Sequence, residues 1–169
     1  MAKDYEAFRH DLVSLLPRLR RFAITLAEGQ EAAEDLLQSA AERALRRWKA
    51  FDDANQLDAW MFKAMQNIRR ETRRYAADHP TAPIDGLEFT GVDGREVIGW
   101  RQDLQLALEA FRALPEEQRA VIALVVLEGF SYAETAEALA MPIGTVMSRL
   151  SRARGAIVSR VRGNEHVHS

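Results

Sequence analysis

Arginine is the residue of this sequence with the clearest chemistry to offer, and its distribution says which chemistry. Between Arg43 and Arg74 lie Arg43, Arg46, Arg47, Lys49, Lys63, Arg69, Arg70, Arg73 and Arg74. From Met141 to Gly163 the only charges are Arg149, Arg152, Arg154, Arg160 and Arg162. A guanidinium is a permanently charged fork that grips phosphate through paired hydrogen bonds. The acids gather elsewhere: at the N-terminus, mid-chain and from Glu109 to Glu137. A formal net charge of -2 therefore hides two basic islands. Such islands in an acidic chain point to two polyanion contacts, with the acidic remainder limiting non-specific attachment.

Catalytic chemistry finds no comparable footing. Cysteine is absent, and the histidines are His10, His79, His166 and His168. His166 and His168 lie in a short polar tail that reads as a frayed terminus. There is no glycine-rich phosphate loop, and no carboxylate pair has the spacing of a hydrolytic or metal centre. The expectation is a non-enzyme with no catalytic residue, no cofactor and no metal site.

The elements that must position the arginines are helical. Phe8, Leu12, Leu15, Leu19, Phe22, Ala23 and Leu26 recur at helical spacing, with Gly29 as a stop. A second helix from about Glu31 places Ala33, Leu37, Ala40, Ala44 and Trp48 on its buried stripe. A polar loop, Asp52 to Gln56, precedes a third, with Leu57, Met61, Ala64 and Ile68 as its apolar face. From Ala76 to Gly99 the periodicity gives way to prolines, glycines and scattered acids, which read as a linker. Helical pattern resumes near Trp100 with Leu104, Leu108 and Phe111, and Pro115 opens a further helix that runs to Gly129. No strand alternation is persuasive. The fold class is all-α: two small helical domains joined by a flexible linker, with boundaries at 1–76, 77–99 (linker), 100–163 and a tail at 164–169.

Hydrophobic residues at 47% and charged residues at 28% place the chain among soluble globular proteins. Met1 to Phe8 lacks the apolar core of a signal peptide. The longest apolar run, Ala120 to Leu127, falls far below the roughly 20 residues that span a bilayer. Cysteine-free, the chain fits a reducing cytoplasm, with any membrane link made through a partner.

The stretch Glu128 to Arg154, EGFSYAETAEALAMPIGTVMSRLSRAR, is the most informative. Ser131 followed by Glu134 is a capping box. The short helix it opens ends near Ala140, Met141-Pro142 forces a turn, and a basic helix follows: a helix-turn-helix. At about 100° per residue, Val146, Leu150, Ala153 and Ile157 share a buried face. Ser148, Ser151, Arg152 and Gly155 lie opposite, flanked by Met147 and Arg154 on one side and Arg149 on the other. Arginine can bridge guanine O6 and N7, and serine is a less selective reader.

On these residues, LPEEQRAVIALVVLEGFSYAETAEALAMPIGTVMSRLSRAR resembles region 4 of the extracytoplasmic-function sigma factors, which recognises the -35 promoter element. The resemblance implies that Thr145, Met147, Ser148, Ser151 and Arg152 face the -35 DNA, with Arg149 and Arg154 beside them. Met147 stands where many relatives carry lysine or arginine.

The first basic island has its own case. On the helix from Leu57 to Arg74, the face opposite the apolar stripe carries Lys63, Gln66, Asn67, Arg69, Arg70, Arg73 and Arg74, with Phe62 toward it. An aromatic among cations either stacks on an unpaired base or packs against a neighbouring helix, and both readings stand. AAEDLLQSAAERALRRWKAF and LDAWMFKAMQNIRRETRR resemble region 2 of the same sigma family. That resemblance implies that Asp35 and Gln38, on one helical face, bind the β′ coiled coil of core RNA polymerase. It further implies that the Asp52 to Gln56 loop with Lys63, Asn67, Arg70, Arg73 and Arg74 captures the -10 element as the strands part. Gln66 departs from the arginine often found before the asparagine.

As a member of that family the protein is expected to bind core RNA polymerase (β′ coiled coil and β flap), promoter DNA and an anti-sigma factor. DLVSLLPRLRRFAITLAEG resembles the general-stress subgroup, whose antagonist is soluble. The linker either threads toward the polymerase active-site channel or serves as a plain tether. A sigma-like decoy titrating an anti-sigma factor and a conventional helix-turn-helix regulator are the rival functions.

Overall fold

The computed structural model describes residues 4–79 and 100–165. Among them there is no strand. In the N-terminal half, α1 (Tyr5–Leu26), α2 (Gln30–Arg46) and α3 (Ala54–Asp78) pack pairwise, with a 3-10 turn at Trp48–Ala50. In the C-terminal half, α4 (Trp100–Ala113), α5 (Glu116–Ile122), α6 (Tyr132–Leu139) and α7 (Ile143–Glu165) follow, and α7 packs against the other three. Most of the expected linker lies outside the described residues, as do His166 and His168. Helix α3 runs two residues beyond the boundary expected at 76, and α7 runs to Glu165.

Local sequence explains these elements. All seven residues of the predicted α1 stripe are buried. Gly29, at φ 98°, makes the left-handed corner between α1 and α2. Asp53 caps α3 by accepting from the Gln56 amide at 2.8 Å, so the polar loop expected from Asp52 to Gln56 closes sooner, its last three residues being helical. Pro115 precedes α5 as expected. Leu114 behind it is buried, and Arg119 folds back to donate to the Leu114 carbonyl at 2.5 Å.

Helix α5 does not simply end. A π-helical turn, Ala123–Leu127, continues it, with the Glu128 amide bonded to the Ala123 carbonyl, five residues back, at 3.0 Å. The capping box at α6 is complete. The Glu134 amide donates to Ser131 Oγ at 3.1 Å and the Ser131 amide donates to Glu134 Oε2 at 2.7 Å. These bonds hold the Glu134 carboxyl below its ordinary value. Its contribution to stability is thus full above the ordinary glutamate value, roughly 4.3, and is lost as pH falls through the lower folded value. Ser131→Ala is expected to cost about 1 kcal/mol, read as a lowered midpoint in urea unfolding at neutral pH.

The two halves are not held apart. The buried residues of both form one hydrophobic cluster, and α1 meets α5 while α3 meets α6. Phe62 of α3 is the pin: fully buried, it sits edge-on to Phe22 at 5.0 Å and to Phe130 at 5.1 Å. Of the two readings open for Phe62, packing is the one realised.

Candidate nucleic-acid interface

Helix α3 shows three faces, where the sequence pattern distinguishes two, an apolar stripe and a single cationic face opposite it. Leu57, Met61, Ala64 and Ile68 form the expected buried stripe. About 120° to 180° round the helix from Leu57, at 100° per residue, come Phe62, Gln66, Arg69 and Arg73. The C-terminal half meets this second face. Gln66 is only 3% exposed and its Oε1 has no hydrogen-bond partner, so it does not lie on an open reading surface as expected. Arg69 Nε donates to Glu116 Oε2 at 3.2 Å, and Arg73 approaches the same oxygen at 3.5 Å.

The third face stays open. Lys63, Asn67, Arg70 and Arg74 line one groove with Arg43 and Arg46 of α2 and Arg47 just beyond its end. Four of the five residues assigned to the -10 element are thereby brought together; Arg73 turns to Glu116 instead. Glu71 is the groove's single acid, and its pairing with Arg43 at 2.7 Å holds its carboxyl below the ordinary value. Arg70 also donates to the Leu139 carbonyl, across the junction, at 2.6 Å.

One aromatic in this groove escaped the sequence reading. Trp60, half-buried, stands edge-on to Phe51 at 5.2 Å, with the Arg47 guanidinium over its ring at 5.9 Å. Trp60, Lys63, Asn67, Arg70 and Arg74 follow a 3-4-3-4 spacing, the signature of one helical face. That rhythm is the signal the sequence carries for this face.

On α7, Val146, Leu150 and Ala153 are buried as expected, while Ile157, expected on the same buried face, is only half-buried. Met147, Ser148, Ser151, Arg152 and Arg154 are exposed, and Thr145 is half-buried at the edge of the same surface. Arg149 differs. It pairs with Glu117 at 2.6 Å and reaches Met141 Sδ at 3.6 Å, bracing the turn from within the C-terminal half. On α2, Asp35 and Gln38 are both exposed, and Gln38 donates to Glu42 at 3.1 Å. Among the described residues no group of side chains is placed to hold a metal ion, and no helix is long and apolar enough to cross a membrane.

Comparison with known proteins matches both halves separately. Residues 104–157 match the family model for sigma-70, region 4, and residues 12–66 match that for the Sigma2 domain of PhyR. The sequence is 33% identical over 157 residues to the ECF RNA polymerase sigma factor EcfG of Rhodopseudomonas palustris, covering 88% of this chain and 82% of the relative. The chain belongs to the extracytoplasmic-function sigma factors. It is also 34% identical to SigM of Mycobacterium tuberculosis over 81% of this chain and 68% of that protein. Among solved structures, the sigma factor RpoE of Bartonella quintana, crystallised with the anti-sigma factor NepR, superposes with a TM-score of 0.74 at 31% identity, covering 92% of this chain and 96% of that one.

The sigma factor directs promoter-specific transcription, as its relatives do. Those relatives are DNA-binding subunits of a polymerase, and RNA polymerase and promoter DNA are the general partners of such proteins.

Proposed function

We propose that the two halves divide promoter recognition as region 2 and region 4, residues 1–76 and 100–163, with residues 77–99 as their linker. The observation that carries this reading is the groove between α2 and α3. Arginines and Lys63 line it, Asn67 offers an amide that can pair with a base edge, and a half-buried tryptophan stands in its wall. That combination suits a single strand: cations for phosphates and an aromatic platform for an unpaired base. Lys63, Asn67, Arg70, Arg73 and Arg74 take the -10 strand, and Trp60 stacks on a base drawn from it. Drawing the base out costs a few kcal/mol, offset by contacts in the groove.

The exposed face of α7 takes the -35 duplex in the major groove, with Arg152 and Arg154 to bases or phosphates and Thr145, Met147, Ser148 and Ser151 as near-neutral readers. Arg149 supports that face from behind. Asp35 and Gln38 bind the β′ coiled coil of core polymerase, and the C-terminal half binds the β flap. The sigma factor works in the cytoplasm, where the polymerase is. Its likeness to EcfG and to a sigma factor crystallised with NepR supports control by a soluble anti-sigma factor of the general-stress type.

The test adds the purified chain to sigma-free core polymerase and maps start sites from a promoter library. Starts clustered below one shared -35 and -10 pair are expected. Alanine at both Asp35 and Gln38 is expected to weaken core binding about tenfold, a loss of roughly 1.4 kcal/mol, without changing the pair selected. Core binding with no shared promoter pair would transfer the reading to a decoy. Promoter binding without core binding would transfer it to a conventional regulator.

A further inference from the structure

We infer that Met147 is an oxidation site on the -35 reading face, and that conversion of its thioether to the sulfoxide weakens the hold of that face on DNA. The inference rests on the assignment of α7 to the -35 duplex and adds a chemical control to it.

The chain has no cysteine, so its oxidisable sulfur is all methionine, at Met1, Met61, Met65, Met141 and Met147. Met1 lies outside the described residues. The other four differ sharply in access. Met61 and Met65 are fully buried in the core. Met141 is half-buried in the turn before α7, packed against the core, and its Sδ accepts from the Arg149 guanidinium at 3.6 Å. Met147 is 52% exposed. An oxidant dissolved in water must reach a sulfur lone pair, and among the described residues Met147 offers the open one.

Its position gives the modification a consequence. Met147 stands just past the first turn of α7, in the N-terminal part of the recognition helix, the part that meets base edges. The exposed Ser151 and Arg154 follow at i+4 and i+7, on the same strip of the helix. Beside hydroxyls and guanidinium groups, the thioether is the apolar and deformable member of this surface. It suits the C5-methyl group of a thymine.

The oxidant is a peroxide, hydrogen peroxide being the simplest. A sulfur lone pair attacks one peroxide oxygen, the S–O bond forms as the O–O bond breaks, and sulfur gives up two electrons. The departing hydroxide takes the proton of the transferred oxygen and leaves as water. The product is polar, a strong acceptor with no donor, and is reversed by reduction. Against a thymine methyl that oxygen loses its water and gains no partner. Against the acceptors of the major groove, N7, O6 and O4, it is repelled. DNA covers the sulfur once bound, so oxidation acts on the sigma factor between binding events.

The test treats the purified chain with rising doses of hydrogen peroxide, removes the oxidant, and maps the added oxygen by peptide mass spectrometry. Oxygen is expected on Met147 before Met141, Met61 and Met65. Joined to untreated core polymerase, the treated chain is expected to bind a duplex of the selected promoter about tenfold more weakly, the order of one mismatched base pair. Its binding to core is expected to be unchanged. Met147→Leu stays apolar and carries no sulfur at this position. Whatever its starting affinity, its treated and untreated samples are expected to agree. Oxygen appearing first on another of the three, an oxidised Met147 that binds promoter as tightly as before, a parallel loss of core binding, or an equal loss in the treated Met147→Leu chain would overturn the inference. If the untreated holoenzyme selects no -35 element, the assignment of α7 fails and the control of DNA binding with it, and the order of oxidation alone decides the modification site.

Discussion

Phe62→Ala is expected to destabilise the sigma factor by about 3 to 5 kcal/mol, as truncation of a fully buried phenylalanine generally does. The cost is specific to this site because the ring serves both halves at once. It packs edge-on to Phe22 within the N-terminal half and to Phe130 across the junction, with the Arg18 guanidinium 5.7 Å from its centroid. Thermal unfolding is expected to show a lower midpoint. A double-mutant cycle with Phe130→Ala is expected to return a coupling of about 0.5 to 1.5 kcal/mol, the worth of an edge-to-face pair beyond its burial. A loss below about 1 kcal/mol would mean that Phe62 is not the pin of the junction; for comparison, a surface change usually stays within ±0.5 kcal/mol.

Arg152→Glu is expected to cut initiation at the cognate promoter by one to two orders of magnitude. A bidentate arginine–base contact is worth about 1 to 3 kcal/mol, and a carboxylate in its place adds repulsion from the DNA backbone. Arg152 is exposed and has no ion-pair partner among the described residues, so the change removes nothing from the fold. Unfolding is expected to stay within about 0.5 kcal/mol of the unaltered chain. Arg149→Ala provides the contrast. Its guanidinium is already engaged with Glu117 and Met141, so its loss is expected to soften the C-terminal half more than it relaxes promoter choice. Start-site mapping alongside urea unfolding separates the two. Equal effects of both changes on promoter choice would remove the distinction between reader and brace.

The helices themselves were legible because their signals are local. The α1 stripe, the capping box at Ser131 and the turn at Met141-Pro142 each depend on residues within one or two turns, and each formed as read. Helix α3 shows where such reading ends. Phe62, Gln66, Arg69 and Arg73 are far from its apolar stripe, and three of the four are polar or charged. The contacts of Phe62, Arg69 and Arg73 with the C-terminal half are fixed by residues such as Phe130 and Glu116, a long way along the chain, and no periodicity within α3 encodes them. The same holds for Arg119. The sequence pattern gives it no role of its own, while the structure gives it carbonyl partners in both halves and a burial that lowers its pKa from the ordinary arginine value. Leu104 and Leu108, read as part of a helical pattern, do lie in α4 but remain exposed at 48% and 40%.

The π-helical turn after α5 acts as a phase setting. Its wider loop takes one residue more than an α-turn needs, so everything after it is rotated by about 100° relative to an uninterrupted helix. Glu128 and Phe130 follow immediately, and both point across the junction, to Arg18 and to Phe62. A chain one residue shorter between Ala123 and Leu127 would keep its apolar character and its helix, yet would aim both groups away from their partners. The fit between the two halves therefore depends on a count of residues as much as on their kind, and a single deletion there would act as a change of angle.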